Sequence, residues 1–319
     1  MSELTVAICA HNPRKEFIDE TLAALRAQTV PVTEWSLLVI DNASTPALSD
    51  RLDLDWHPRA RIVVEASLGI SAARARALQE ASAQGASLLL FVDDDNILAP
   101  DYLAQGLRIA TEHPELGCWG GQLIARFLAP PPEWLPNYQK YLAIFPLAGD
   151  IVCTEVGSHD GIPPSAGAFV RRAVWEKYLA IYGTHPLRQI LGPRGTVRIG
   201  GEDMDLMLTS LDVGLGFGRF AALKLEHIMP AGRLTAPYME ELLTSIYLGM
   251  VLVDQIRFER PPPRRLGALQ KLAQRWRAFR LPEPIGRFYL AEIKGRELGA
   301  RIVADWRQGR PISGVASGR

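Results

Sequence analysis

Three adjacent carboxylates, Asp93-Asp94-Asp95, directly follow the apolar run Leu88-Leu89-Leu90-Phe91-Val92. Like charges gathered in a cleft raise one another's pKa, a cost that a hard divalent cation removes. Mg²⁺ or Mn²⁺ is held by few carboxylates together with substrate phosphates, so the triplet suits a metal–nucleotide site. The competing reading is a solvated loop that caps the next helix. Asp41-Asn42 and His11-Asn12 also end apolar runs. Asp41 suits hydrogen bonds from a ribose or base edge, or an Asx turn with Asn42. Arg74 can reach a diphosphate or a base, or pair at the surface with Glu80. Glu202 and Asp203 follow Gly200-Gly201. A carboxylate there can take the proton from a hydroxyl nucleophile, or simply complement a helix dipole. Asp205 is the rival base. His227 ends the apolar-interleaved run Phe220 to Leu225 and precedes a loop, as a cation ligand would.

Alternating strands and helices must position these residues. Leu4–Cys9, Trp35–Ile40, Arg61–Glu65 and Leu88–Val92 are the expected strands. Helices are expected with Phe17, Ile18, Leu22 and Leu25 on one face, over Ile70–Gln84, and over Pro100–His113. Such alternation implies a doubly wound parallel sheet with ligands at the carboxyl ends of its strands, where the three polar clusters would meet. Beyond Gly117 the pattern changes. Gly120-Gly121, Pro130-Pro131-Pro132 and the Ile162–Gly167 segment are expected to break regular structure, with short strands between them extending a mixed sheet. Glu202–Leu211 reads as a short helix. Pro237–Arg257 reads as a long one with a stripe of Leu242, Leu243, Ile246, Leu248, Leu252 and Val253. Pro261-Pro262-Pro263 is a linker or hinge.

The segments Val6–Asn12, Leu38–Ser44, Gly69–Arg74 and Phe91–Asp95, continued by Gly201–Asp205 and Glu226-His227, resemble glycosyltransferase family 2 in order and spacing over residues 4–235. That resemblance implies an α/β GT-A fold, a Rossmann-like doubly wound mixed sheet. It gives a domain over 1–235, with a nucleotide-binding half at 1–116 and an acceptor half at 117–235. Residues 236–319 are then a helical, basic C-terminal extension. It also implies an inverting, hexosyltransferase-type enzyme that uses a nucleotide-sugar donor and Mn²⁺ or Mg²⁺ in polysaccharide or glycoconjugate synthesis. The donor is UDP-, GDP- or dTDP-linked and the acceptor a glycan or glycolipid. Asp203 resembles the general base and Glu202 the residue orienting the acceptor. Ala10, Asn12, Asp41, Arg74, Asp93 and Asp94 fall at nucleotide-sugar-binding positions, and Asp95 and His227 at metal positions. Ala10, Ser67, Leu68 and Ala75 depart from residues frequent in the family. A sugar-1-phosphate nucleotidyltransferase and a GT-A-like module that binds nucleotide without transfer are the alternatives.

Composition bounds the rest. The 319 residues hold 35 basic and 35 acidic side chains, 48% hydrophobic residues and three separated cysteines. This is ordinary globular composition, with neither a disulfide framework nor a zinc spacing. No eighteen-residue apolar stretch and no leader-like start occurs, so a cytoplasmic location is expected. No P-loop motif is present, and Gly214–Gly218 lacks the dinucleotide-binding spacing. The neutral total is uneven. Residues 260–319 carry 14 Lys/Arg against 4 Asp/Glu, +10, and the remainder 21 against 31, −10. In the basic tail Leu266, Leu269, Leu272, Ala273, Trp276 and Phe279 recur at helical spacing among Arg265, Lys271, Arg275 and Arg277. Such a helix lies on an anionic membrane, which would place the chain peripherally on an inner membrane face, or packs on the acidic body or a second subunit. No nucleic-acid module is recognised.

Overall fold

The computed structural model describes residues 3–155, 161–192, 199–263 and 266–310. Arg265 therefore lies outside the described residues. The chain forms two compact units, each built from separate stretches of sequence. The first comprises residues 1–126, 143–184 and 206–228, the second 127–142, 185–205 and 229–319.

The first unit holds a mixed sheet. Four parallel strands, β1 (Leu4–Ala10), β2 (Trp35–Asp41), β3 (Ala60–Val64) and β4 (Leu88–Val92), lie in the order β3-β2-β1-β4. β1, β2 and β4 are buried along their whole length, which is why they are apolar runs rather than alternating ones. The sheet continues through β5 (Asn96–Leu98), β6 (Leu116–Phe127), β7 (Ile151–Cys153), β8 (Phe169–Arg171) and β9 (Gly216–Met229). The order from β4 is β8-β6-β9-β5, and β7 pairs off β9. β8 runs antiparallel to β4 and β6, and β9 antiparallel to β5 and β7. Helices α1 (Lys15–Arg26), α2 (Ile70–Ala83), α3 (Tyr102–Glu112) and α4 (Arg172–Tyr182) belong to this unit. α1 buries Phe17, Ile18, Leu22 and Leu25, the face expected from their spacing.

One expectation needs correction. Gly120-Gly121 does not break regular structure but lies inside the twelve-residue strand β6. A Cβ on Gly121 would stand 1.9 Å from the Leu223 carbonyl oxygen of β9. Glycine at this position admits a neighbouring backbone instead of ending the strand. The core beside it stacks Trp119 on Phe169 at 5.5 Å between ring centroids, and Tyr102 on Phe169 at 6.0 Å.

The second unit is helical. It contains α5 (Pro186–Gln189), the first turn of α6 (Glu202–Asp212), α7 (Ala236–Phe258), α8 (Ala268–Phe279) and α9 (Ile285–Arg307). α7 and α9 approach closely because Gly295 and Gly299 of α9 face backbone atoms of Thr244 and Leu248. Of the expected α7 stripe, Leu243, Leu248, Leu252 and Val253 are buried, while Leu242 and Ile246 are half-buried. Trp134, Tyr138 and Phe288 form an edge-to-face cluster with centroid distances of 4.8 to 6.3 Å.

Candidate active site

The carboxyl end of β1 and the turn after β2 are tied together by short side chains. The Asn42 amide N–H donates to the Ala10 carbonyl at 2.9 Å. Asn12 takes a left-handed conformation, φ 47°, and its side-chain oxygen accepts from the Thr45 amide at 2.8 Å. His11 Nδ1 lies 2.7 Å from the Asn42 carbonyl. Asp41 is buried, and its two carboxylate oxygens accept from the Ser44 and Leu48 amides at 2.9 and 2.8 Å. Burial alone would raise its pKa, but those hydrogen bonds, with the nearby His11, bring it below the ordinary value. Its carboxylate thus organises the 42–48 turn. Asn42, read from the sequence only as the partner of Asp41 in a turn, has a wider task. Its side-chain amide donates to the Glu65 and Ser67 carbonyls at 3.1 and 2.8 Å, and its oxygen accepts from the Gly69 amide at 2.8 Å. It thereby clamps the ends of β2 and β3 to the start of α2. Gly69, φ 137°, takes a backbone conformation there that L side chains rarely adopt.

Four residues down α2, Arg74 is buried and faces the end of β4. Its guanidinium lies 3.6 Å from Asp93 Oδ1 and donates to Ser165 Oγ at 2.6 Å. The surface pairing with Glu80 is made by Arg61 and Arg76 instead. Cys9, on the neighbouring β1, has its thiol pushed up to about 12 by burial, so it is not a nucleophile at neutral pH.

The acidic triplet is divided by its surroundings. Asp93 and Asp94 are partly exposed, whereas Asp95 is buried. Asn96 holds the turn, accepting from the Asp93 amide and donating to Asp95 Oδ1, both at 3.1 Å. β5 then pairs with β9 so that Asn96 stands opposite His227. The Ile228 amide donates to the Asp95 carbonyl at 3.0 Å, and His227 Nε2 lies 3.6 Å from Asp95 Oδ2. Two residues far apart in sequence thus become a buried oxygen–nitrogen donor pair. Among the described residues no group of three His, Cys, Asp or Glu side chains is arranged to cage a metal. A two-residue set fits Mg²⁺ or Mn²⁺, which take their remaining ligands from water and substrate phosphates.

In the second unit, Glu202 and Asp203 open α6 and are partly exposed. Asp203 Oδ1 accepts from the Met204 amide at 2.8 Å. Asp205, two residues on, is a different kind of acid. It is 0% exposed, with Oδ2 2.9 Å from Arg188 Nε and Oδ1 3.5 Å from Arg257 Nε. Closed off between two guanidinium groups, it is excluded as the rival base. Sequence reasoning missed both arginines because they lie on α5 and α7, remote in the chain.

The sequence model described as Glycosyl transferase family 2 matches residues 5–163. No curated protein matches the chain. Among solved structures, the crystal structure of S. aureus TarS 1-349 aligns at 15% identity and a TM-score of 0.52, covering 97% of this chain and 92% of that one. The same protein in complex with UDP-GlcNAc aligns at 14% identity and a TM-score of 0.54 with the same coverage. Its complex with UDP aligns at 16% identity and a TM-score of 0.51. At such identities the likeness is one of fold, and the fold is GT-A.

Proposed function

Because residues 5–163 belong to glycosyltransferase family 2, the chain is a glycosyltransferase, and we propose that it moves a sugar from a nucleoside-diphosphate donor to an acceptor hydroxyl with inversion. The observation that carries this reading is the pairing of Asp95 with His227 beside the Asp93–Arg74 contact at the end of β4. A buried donor pair next to a buried guanidinium suits a diphosphate that shares a divalent cation with the protein. Asp95 and His227 would hold Mn²⁺ or Mg²⁺, which when bound supplies a positive charge that favours departure of the diphosphate. UDP-linked sugars are the first donors to test, since the similar fold of TarS was solved with UDP-GlcNAc.

The residues divide the remaining work. Arg74, kept in place by Ser165 and Asp93, offers a fixed cation to the phosphates. Asp93 and Asp94, the partly exposed members of the triplet, face the ribose and sugar of the donor, and Ala10, Asn12 and Asp41 shape the turn that receives the nucleoside. Asp203 takes the proton from the acceptor hydroxyl as its oxygen bonds to the anomeric carbon, and the diphosphate leaves with the electron pair of the broken bond. Glu202 orients the acceptor. Calorimetric titration of UDP-, GDP- and dTDP-sugars with and without Mn²⁺ tests the reading. Mn²⁺-dependent binding of one donor class, lost in Asp95→Ala, is expected. Nucleotide affinity indifferent to both Mn²⁺ and Asp95 would refute it.

A further inference from the structure

The orientation of α8 is opposite to that of an ordinary surface helix. It is fastened to α9 by polar and small residues. Ala278 is buried, with its carbonyl oxygen 2.3 Å from where a Cβ on Gly286 would stand. The Tyr289 hydroxyl donates to Gln274, Lys271 pairs with Glu297 at 3.1 Å, and the Arg277 guanidinium lies over the Tyr289 ring. The opposite side carries Leu269, Leu272, Trp276 and Phe279, one turn after another. These are 82%, 65%, 61% and 87% exposed, in a helix whose one buried residue is an alanine. Globular packing turns the apolar stripe inward; here the stripe is turned out.

The charge carried by α8 itself is of one sign. Lys271, Arg275, Arg277 and Arg280 are exposed, and residues 266–282 contain no Asp or Glu. The Arg280 guanidinium lies 4.8 Å from the centroid of the Trp276 ring. An aromatic-bearing apolar face rimmed by cations is complementary to a layer of anionic headgroups over acyl chains. Isologous pairing of two copies would instead set Arg275 and Arg280 against their own likes. No helix among the described residues is long and apolar enough to cross a membrane, so the contact is interfacial. We propose that α8 seats its Leu269–Leu272–Trp276–Phe279 face on an anionic lipid surface.

The test is co-sedimentation of the full chain with vesicles of equal parts phosphatidylglycerol and phosphatidylcholine, and with vesicles of phosphatidylcholine alone. The chain should sediment with the anionic vesicles, less so at high salt, and little with the neutral ones. Trp276→Glu with Phe279→Glu should lower the partition about tenfold or more, since burial of one such side chain is worth at least that factor. Its melting temperature should stay that of the parent, because both positions are exposed. Arg275→Gln with Arg280→Gln should reduce the preference for anionic over neutral vesicles. Absence of sedimentation with anionic vesicles, or sedimentation undiminished in the Trp276–Phe279 variant, would overturn the proposal. So would a dimer in analytical ultracentrifugation that this variant dissolves, which would assign the face to a second copy. None of these readouts depends on sugar transfer.

Discussion

Asp203 and Asp205 are the same residue type two positions apart, and their surroundings give them different capacities. Asp203 keeps a partly exposed carboxylate with one oxygen on the Met204 amide. Asparagine can preserve that acceptor while being unable to take a proton. Asp203→Asn should therefore bind nucleotide-sugar as the parent does and lose turnover by about 10²–10⁴-fold, the usual worth of a positioned general base. Near-parental turnover in a steady-state transfer assay would remove Asp203 from the reaction. At this scale the sequence was legible wherever a residue acts through its own neighbours. The Asp93–Asn96 turn and the Asp41–Asn42 turn are each built from adjacent residues. The Asp95–His227 pair was only half legible, because proximity across 131 intervening positions is a property of strand pairing.

The first turn of α6 is set by an ion cluster. Arg188 of α5 and Arg257 of α7 converge on the buried Asp205 carboxylate. Removing the acid leaves two buried guanidinium groups without the carboxylate they share, which costs more than the intact cluster contributes. Asp205→Ala should lower unfolding stability in a denaturant titration by about 3–5 kcal/mol, whereas Asp203→Asn should leave it near the parental value. Equal stability of the two variants would show that the cluster does not hold α6. The element itself was readable from Glu202 to Leu211, as were the strands ahead of it, because hydrophobic period and helix-start residues are local signals. β6 was misread for the converse reason. Its glycines resemble breaks in one dimension, and only the Leu223 backbone lying where the Gly121 Cβ would be explains them.

Across the whole molecule, one buried and one half-buried imidazole, His57 and His185, make stability sensitive to acid. His57 lies between Trp35 and Trp56 with ring centroids at 4.3 and 5.2 Å, and its Nδ1 accepts from the Arg59 amide. Burial, then Arg59, holds its pKa below the ordinary value. Burial, then Arg188, does the same for His185, with Asp205 opposing. A histidine whose folded pKa is depressed is bound by fewer protons in the folded state than in the unfolded one. Its contribution is present above the unfolded value, about 6.5, and is lost as pH falls from there through the folded value. The melting temperature should accordingly decline below about pH 6.5, more shallowly in His57→Phe. A parallel decline in the variant would relieve His57 of that role. The charge division belongs to this scale as well. The +10 segment was readable as a number, and the outward turn of its apolar stripe was not.

Sequence alone determined the strand–helix alternation, the acidic and polar clusters at strand ends, and the sign of charge in each region. These depend on which residues are neighbours along the chain, on backbone periodicity and on composition. Tertiary structure alone decided that Gly121 admits the Leu223 backbone, that Asp205 is enclosed by arginines, and that α8 faces solvent with its largest apolar side chains. Each of those outcomes is a contact, or a missing contact, between segments remote in sequence. Such contacts follow from how sheet register and helix packing distribute buried surface, which no local pattern encodes.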